Sequence, residues 1–245
     1  MIGAIGFAQT NSSTLDQTGN VNDAFVQQVG NLNVADTDQT GDNNESTTTV
    51  EGDENNVDID QIGDNNSATA DALENSFNIG QAPANKNKLT AYQEGDDNSA
   101  VLSVNGPIFN DNNTLNSNQN GDRNEHKFVA SGSNNTINAD VDGNDNKGQF
   151  TIAVIPGSSS GNGNSLDLKQ NGDDNLSSGA INGNFNDVET TQLGNDNEIG
   201  TSLASQDGVV ITGFSNTVDI LQDGNSNEAF SSQIGDLNTA TLSQT

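Results

Sequence analysis

The chain has 245 residues, of which 29% are hydrophobic and 4% aromatic, and its 35 acidic against 6 basic residues give a formal net charge of −29. This balance disfavours a conventional globular core, and it argues against binding to nucleic acid or to anionic membrane surfaces. The absence of cysteine excludes disulfides, thiolate metal sites and thiol catalysis.

The N-terminal stretch Met1–Ala8 is apolar and ends in a small residue, like the tail of a signal peptide, although it lacks a basic start. We interpret residues 1–14 as an N-terminal segment, either a signal remnant or a linker, before a repeat domain of residues 15–245. No apolar run approaches the roughly 18 to 20 residues that span a bilayer. We therefore expect a protein that is not embedded in a membrane.

From Gln17 onward the phrase Gln-x-Gly-x-x-Asn returns at a step of eleven residues, with a last half-unit at Gln244. A short, strict period predicts a stacked, self-templating architecture, whereas intrinsic disorder, the alternative that composition alone favours, needs no register. The predicted ladder residues are Gln17, Asn22, Gln28, Asn33, Gln39, Asn44, Asn55, Gln61, Asn66, Gln93, Asn98, Gln119, Asn124, Asn135, Asn146, Gln170, Asn175, Asn186, Gln192, Asn197, Asn216, Gln222, Asn227, Gln233, Asn238 and Gln244. The predicted arc glycines are Gly19, Gly30, Gly41, Gly52, Gly63, Gly95, Gly121, Gly132, Gly143, Gly172, Gly183, Gly194, Gly213, Gly224 and Gly235.

Each unit alternates after its Asn, so that Asn22, Ala24, Val26 and Gln28 share one face of a strand. The Gly lies where the chain must reverse, because Gly adopts positive φ without a Cβ clash. Two strands and two arcs make a coil of about 22 residues. The sequence thus predicts an all-β protein, a β-solenoid of about ten coils with cross-β stacking at roughly 4.8 Å.

Buried amides are tolerable only when a stacked neighbour hydrogen-bonds them, since an unpaired one costs about 1 to 3 kcal/mol. The amides should therefore set the register. In one strand of a coil the Gln position is often apolar. The residues assigned to that position are Val50, Leu73, Ile108, Ala130, Val141, Ile181 and Ile211.

Four stretches break the eleven-residue step and are candidates for loops or bulges rather than binding sites. They are Ile79 to Asn87, Gly106 to Ile108, Phe150 to Ser160, which begins with an apolar run, and Ser202 to Val210. Near the first two, Asn75 and Asn110 replace the arc Gly, since Asn is the next most tolerant residue of the left-handed region.

Catalytic residue types are scarce, and we expect no enzyme, no cofactor and no metal site. The single histidine, His126, is either an inward, pH-sensitive packing residue or part of an outward or irregular strand. Carboxylate pairs such as Asp96-Asp97 and Asp173-Asp174 lie at arcs, where Asp is favoured as a turn residue.

The acidic arc residues are expected to form one column along one edge of the stack. They are Asp53, Glu54, Asp96, Asp97, Asp122, Asp145, Asp173, Asp174 and Asp196. The column is either a solvated edge that limits lateral association or a surface that Ca²⁺ bridges.

The unit Gln17-x-Gly19-x-x-Asn22-x-Ala24-x-x-x-Gln28 closely resembles the curlin repeat of curli major subunits, and the likeness extends over about Leu15 to Gln244. The resemblance implies a secreted subunit that leaves through an outer-membrane secretion pore, is nucleated by a minor subunit at the cell surface, and polymerises head to tail into extracellular functional amyloid of the biofilm matrix. It also implies that the amides of the terminal repeats act in templating. These are Gln17, Asn22, Gln28, Gln222, Asn227 and Gln233.

The stack itself suggests the mechanism, because end coils expose unpaired backbone and amides that a second copy can cover, giving an open homopolymer. Two other classes stay open. One is a monomeric β-solenoid binding protein with a flat ligand face, and the other is an adhesin whose folding depends on calcium.

Overall fold

The computed structural model describes residues 10–73, 84–105, 110–153, 161–200 and 208–245. The apolar stretch Met1–Ala8, the turn expected at Asn75 and the Gln-position residue Ile108 lie outside these ranges. Within them the chain forms 21 strands and no helix. The strands are β1 Ser12–Thr18, β2 Asp23–Val29, β3 Val34–Thr40, β4 Glu45–Glu51, β5 Asn56–Ile62, β6 Ser67–Ala72, β7 Lys88–Glu94, β8 Ser99–Val104, β9 Thr114–Asn120, β10 Glu125–Ala130, β11 Thr136–Asp142, β12 Lys147–Ala153, β13 Ser165–Asn171, β14 Leu176–Asn184, β15 Asp187–Leu193, β16 Glu198–Ile199, β17 Val209–Phe214, β18 Thr217–Asp223, β19 Glu228–Ala229, β20 Ser231–Ile234 and β21 Thr239–Gln244.

The strands form two parallel sheets. The first sheet has the order β1-β3-β5-β7-β9-β11-β13-β15-β18-β21, and the second has β2, β4, β6, β8, β10, β12, β14, β16 and β19 in sequence. In the last two coils of the second sheet two short strands occupy the place, or level, of one long strand. β16 and β17 share one level, because β14 pairs with both of them, and β19 and β20 share the next. The predicted all-β, parallel β-solenoid is confirmed.

Side-chain alternation explains why these segments form strands. In β3 the burial pattern from Val34 to Thr40 is strictly alternating after the first residue, with Ala35, Thr37 and Gln39 facing inward. Each inward residue lies over its equivalent in the next coil, as Gln39 lies over Gln61. A one-residue slip would turn the whole inward set towards solvent, so the pattern fixes the register.

The middle of the stack holds the largest apolar side chains, and small residues make room for them. Phe128 and Phe150 are fully buried and stacked in register, and Gly179 follows Phe150 in the same column. A Cβ at Gly179 would lie 2.6 Å from the Phe150 ring. A glycine thus follows two large rings in this column and leaves room for them, as close packing of the core requires.

Two positions of positive φ shape most of the arcs. At Gly41, with φ of 119°, a Cβ would collide with the carbonyl oxygen of Gly63 in the next coil, so Gly provides close stacking as well as the turn. The residue before each ladder Asn also has positive φ, and it includes Val21 at 60° and Leu32 at 57°. The sequence pattern did not reveal this second position, because its residue types vary.

The departures from the eleven-residue step all follow strands of the second sheet. The spacing of consecutive ladder residues grows from the usual 22 to 32, 26, 29 and 30 at these points. The insertions fall between the described strands β6 and β7, β8 and β9, β12 and β13, and β16 and β17. No described strand of the first sheet is interrupted.

Three sequence assignments were wrong. Ala72, and not Leu73, lies over Val50, so the unit placed at Leu73 is one residue out of register and would present the wrong face. The apolar run expected to form a loop begins inside β12, where Phe150 and Ile152 are core residues. Val209, assigned to the last break, is likewise buried in β17.

Candidate assembly site: the amide ladders and the ends of the stack

Two columns of Asn side chains run through the stack, one at each arc. The backbone N–H and Nδ2 of Asn55 donate to Oδ1 of Asn33 at 3.0 and 3.1 Å, and Nδ2 also donates to the carbonyl of Ala84 at 2.8 Å. Each such Asn therefore binds the coil before it and the coil after it. The column before strands of the first sheet contains Asn11, Asn33, Asn55, Asn87, Asn113, Asn135, Asn164, Asn186, Asn216 and Asn238. The column before strands of the second sheet contains Asn22, Asn44, Asn66, Asn98, Asn124, Asn146, Asn175, Asn197 and Asn227.

Sequence reasoning missed four members of these columns: Asn11, Asn87, Asn113 and Asn164. Asn11 precedes the first Gln of the repeat, and each of the other three follows an insertion that erases the eleven-residue step. A count backwards would have found them, because each lies six residues before a Gln of the first sheet.

The glycine slot of an arc accepts other residues where only its carbonyl is used. The carbonyl groups of Ala84 and Asn110 accept hydrogen bonds from Nδ2 of Asn55 and Asn87 at 2.8 Å, as arc-glycine carbonyls do elsewhere. The positive φ recorded in the second of these arcs is that of Asn112, two residues beyond Asn110. The rationale offered for Asn110 from its left-handed tolerance therefore applies to Asn112.

A Gln ladder runs along the first sheet. Nε2 of Gln61 donates to Oε1 of Gln93 at 2.9 Å and to the carbonyl of Glu45, on the opposite sheet, at 3.1 Å. The ladder is interrupted at Val141, and Oε1 of the following Gln170 is buried without a partner. Its members are Gln17, Gln39, Gln61, Gln93, Gln119, Gln170, Gln192, Gln222 and Gln244.

The same position in the second sheet is apolar at every interior level. Gln occurs there only in the two outermost described strands, as Gln28 in β2 and Gln233 in β20. Gln233 is only 7% exposed, and its Oε1 lies without a partner because Ile211 occupies the level below. The interior residues are Val50, Ala72, Val104, Ala130, Ile152, Ile181 and Ile211.

Apolar side chains are exposed mainly at the two described ends. At the end formed by the first two strands they are Val21, Phe25, Val29, Leu32 and Val34, and at the other end they are Phe214, Phe230, Ile234 and Leu237. Exposed apolar surface beside unpaired strand edges is typical of an interaction site.

The acidic arc residues do not form the single column that the sequence predicted. Oδ1 of Asp96 and of Asp122 accepts the backbone N–H of the preceding coil at one arc, whereas Oδ1 of Asp53 does so at the opposite arc, for Asn31. Asp53 and Glu54 therefore lie on the other edge. Only one strand, β6, separates β5 from β7 along the chain, so the expected column had counted one half-coil too many across the break from Ile79 to Asn87, which exchanged the two arcs.

The acidic column that contains Asp96 and Asp122 also includes an attractive contact between opposite charges. Arg123 forms two hydrogen bonds with Asp145, both at 2.8 Å, and this contact lowers the pKa of the Asp145 carboxyl. Among the residues described, no group of three or more acidic, His or Cys side chains could hold a metal ion.

His126 points inward and is fully buried, which resolves the two alternatives left by the sequence. Its Nδ1 is hydrogen-bonded to Oγ of Ser117 at 2.7 Å, and its Nε2 has no partner. Gly148 lies over His126 in the next coil, and a Cβ there would approach the imidazole to 3.1 Å. Burial lowers the pKa of His126 from 6.5 to about 3, so the ring is neutral throughout the usual pH range.

Together the fold and its continuous ladders define a parallel β-solenoid held by stacked amides. The family model of the curlin associated repeat matches residues 213–245. This match confirms the resemblance to curlins for the C-terminal stretch of the chain, which contains a curlin associated repeat. No curated protein matches the chain. Within the described ranges, no helix has the length and apolarity for a membrane crossing.

Proposed function

We propose that this chain is the structural subunit of an extracellular, curli-type functional amyloid fibre that contributes to a biofilm matrix and to adhesion. The observation that carries the proposal is the continuity of the strand pairing and of the two Asn columns: every interior described coil is bonded above and below, and the outermost described coils have the same groups with a neighbour on one side only. A second copy supplies the missing neighbour, and this head-to-tail contact generates a filament.

The curlin repeat supports the rest of the proposal. A curli-type subunit is secreted through an outer-membrane pore, starts from a nucleator subunit and accumulates at the cell surface as a homopolymer. The chain needs no disulfide for this route, because it has no cysteine. Its function as a building element involves no catalysis and no cofactor.

Dilution of the purified chain from denaturant into metal-free buffer tests the proposal. We expect thioflavin-positive fibres with a meridional reflection near about 4.8 Å. A chain that folds but stays monomeric for days at micromolar concentration would contradict the proposal and favour a binding solenoid. Fibres or folding that require Ca²⁺ would instead indicate the calcium-dependent adhesin.

A further inference from the structure

The two sheets of the stack differ in the number of their levels. The first sheet has ten strands, and the second has nine levels, since β16 with β17 and β19 with β20 each complete one level. The described stack therefore ends in a half-coil, with β21 one level beyond β20. A second copy placed on this end in the same orientation would leave a one-strand gap in the second sheet.

At the two ends of the stack the halves of a coil have the same amides, because Gln28 and Gln233 occupy the position that is apolar elsewhere in the second sheet, so either sheet can receive either kind of end strand. Nε2 of Gln28, in the second sheet, donates to the carbonyl of Ser12 at 3.0 Å, and Nε2 of Gln39, in the first, donates to that of Asp23 at 3.1 Å. Both contacts join residues 16 positions apart. The Asn columns at the two arcs also make the same set of bonds. A half-turn about the stack axis thus exchanges the sheets and preserves parallel pairing.

We propose that, in filaments grown from this 245-residue chain, successive copies are related by a half-turn about the filament axis, so that β1 of one copy continues the second sheet of the copy below and β2 continues the first. This proposal rests on the proposed function. It fills the gap beside β21 and places Gln17 of the second copy over Gln233 and Gln28 of the second copy over Gln244.

The position of the amides supports this joint. Gln28 and Gln233 are the two places where the second sheet departs from its apolar column, and both lie at the joint. Oε1 of Gln233 faces Ile211 and has no partner either in the single chain or in the filament, whereas its Nε2 faces the open end of the stack, where a Gln of a following copy can accept a hydrogen bond from it.

The direction of the bonds also agrees. Along the first sheet, wherever Gln follows Gln, Nε2 donates to the Oε1 of the next coil in chain order, as Gln222 does to Gln244 at 3.1 Å. At the joint, Gln233 and Gln244 supply Nε2, and Gln17 and Gln28 of the second copy supply Oε1.

Cysteine cross-linking of fibres distinguishes the two orientations, because the chain has no cysteine of its own. Ser243 lies one residue before Gln244, and Gln27 and Asp16 lie one residue before Gln28 and Gln17, all on exposed faces. In-register neighbours are about 4.8 Å apart, within the range of a disulfide. The half-turn pairs Ser243 with Gln27 of the next copy, and an unrotated joint pairs it with Asp16.

The test uses the 245-residue chain carrying either S243C with Q27C or S243C with D16C, polymerised under reducing conditions and then oxidised with copper phenanthroline. Single variants S243C and Q27C control for contacts between like ends. The variant L221C with S243C, an in-register pair within one chain, verifies that oxidation is complete.

We expect ladders of covalent multimers from S243C with Q27C and only monomers from S243C with D16C. The reverse result, or multimers from neither variant while the L221C control is oxidised, would overturn the half-turn joint and leave the polymer itself intact. Failure of the unmodified chain to form any fibre would overturn the proposed function instead.

Discussion

At the scale of single residues, the amide side chain suits a buried column because it carries a donor and an acceptor on one rigid group. Asn55 uses both, towards the coil before it and the coil after it. Some hydroxyl groups at other inward positions are less well satisfied: Thr37, Ser46 and Thr48 are buried and their Oγ atoms lack partners. The inward positions are therefore not equally favourable, and these three hydroxyl groups are weak points of the core.

Replacement of Thr37 by Val should stabilise the fold by about 1 kcal/mol, because it removes an unpaired buried hydroxyl with little change of shape. Guanidinium unfolding followed by far-UV circular dichroism measures the effect. The control is Thr40→Val, the same substitution at an exposed position of the same strand. Equal or lower stability of the Thr37 variant would show that the hydroxyl is satisfied in solution.

His126 should oppose folding in acid. Its pKa is about 3 in the fold and 6.5 when exposed, so the unfolded chain binds the proton first, and stability falls as pH drops from about 6.5 towards 3. Relative to His126→Leu, the unmodified chain should lose about 2 kcal/mol between neutral pH and about pH 5. The His126→Leu variant also loses the hydrogen bond to Ser117, which changes its free energy of unfolding by the same amount at every pH. A difference that stays constant with pH would mean that the imidazole is accessible to protons.

At the scale of the strand and its neighbours, the two sheets hold register differently. The first sheet is tied by Gln side chains from coil to coil, and the second by apolar packing at the same position. The first sheet is also free of insertions in its described strands. A strand of an amide ladder must keep each Gln opposite its neighbour, because a shifted amide loses its hydrogen bond. An apolar column requires only that the packed volumes match.

Replacement of Gln93 by Leu should cost about 1 to 3 kcal/mol, because it removes the donor to Oε1 of Gln119 at the centre of the ladder. Hydrogen exchange should show the loss concentrated in β5, β7 and β9. The matched control is Gln149→Leu, which makes the same change on the outward face of β12. If both variants unfold at the same denaturant concentration, the ladder does not contribute to stability.

The repeat predicted the solenoid well because its period and its alternation act at every level, so that errors in single units do not accumulate into a wrong fold. It failed where insertions hid the step. Asn87 and Asn113 went unassigned, and Leu73 was taken for a Gln position that Ala72 occupies. Positive φ at Val21 left no trace in the sequence, since the stacked arc imposes that conformation on whichever residue is present.

At the scale of the whole molecule, charge opposes association while the ladders favour it. A formal net charge of −29 makes copies repel one another during encounter. The strand edges at the ends must therefore overcome a long-range repulsion before they meet.

Repulsion also acts within one copy. Burial raises the pKa of Asp58 and Asp60 on β5, and neighbouring carboxylates raise it further, so these two groups favour the fold most when they are protonated.

Salt should accelerate fibre elongation, because the Debye length falls from about 30 Å at 0.01 M to about 10 Å at 0.1 M ionic strength. Seeded growth followed by thioflavin fluorescence measures the rate. Sodium and calcium salts at equal ionic strength should give similar rates once general screening is matched. A response to calcium alone, at micromolar concentration, would point to a specific cation site and against simple screening.

Mass per length by dark-field scanning transmission electron microscopy tests the central claim most directly. If each chain keeps its solenoid and adds end to end, a protofilament contains one chain of 25.4 kDa per roughly 45 Å of length, since its nine to ten coils repeat at about 4.8 Å. A value of one chain per about 4.8 Å would show that chains flatten and stack as single layers. That result would contradict a filament assembled from intact coils.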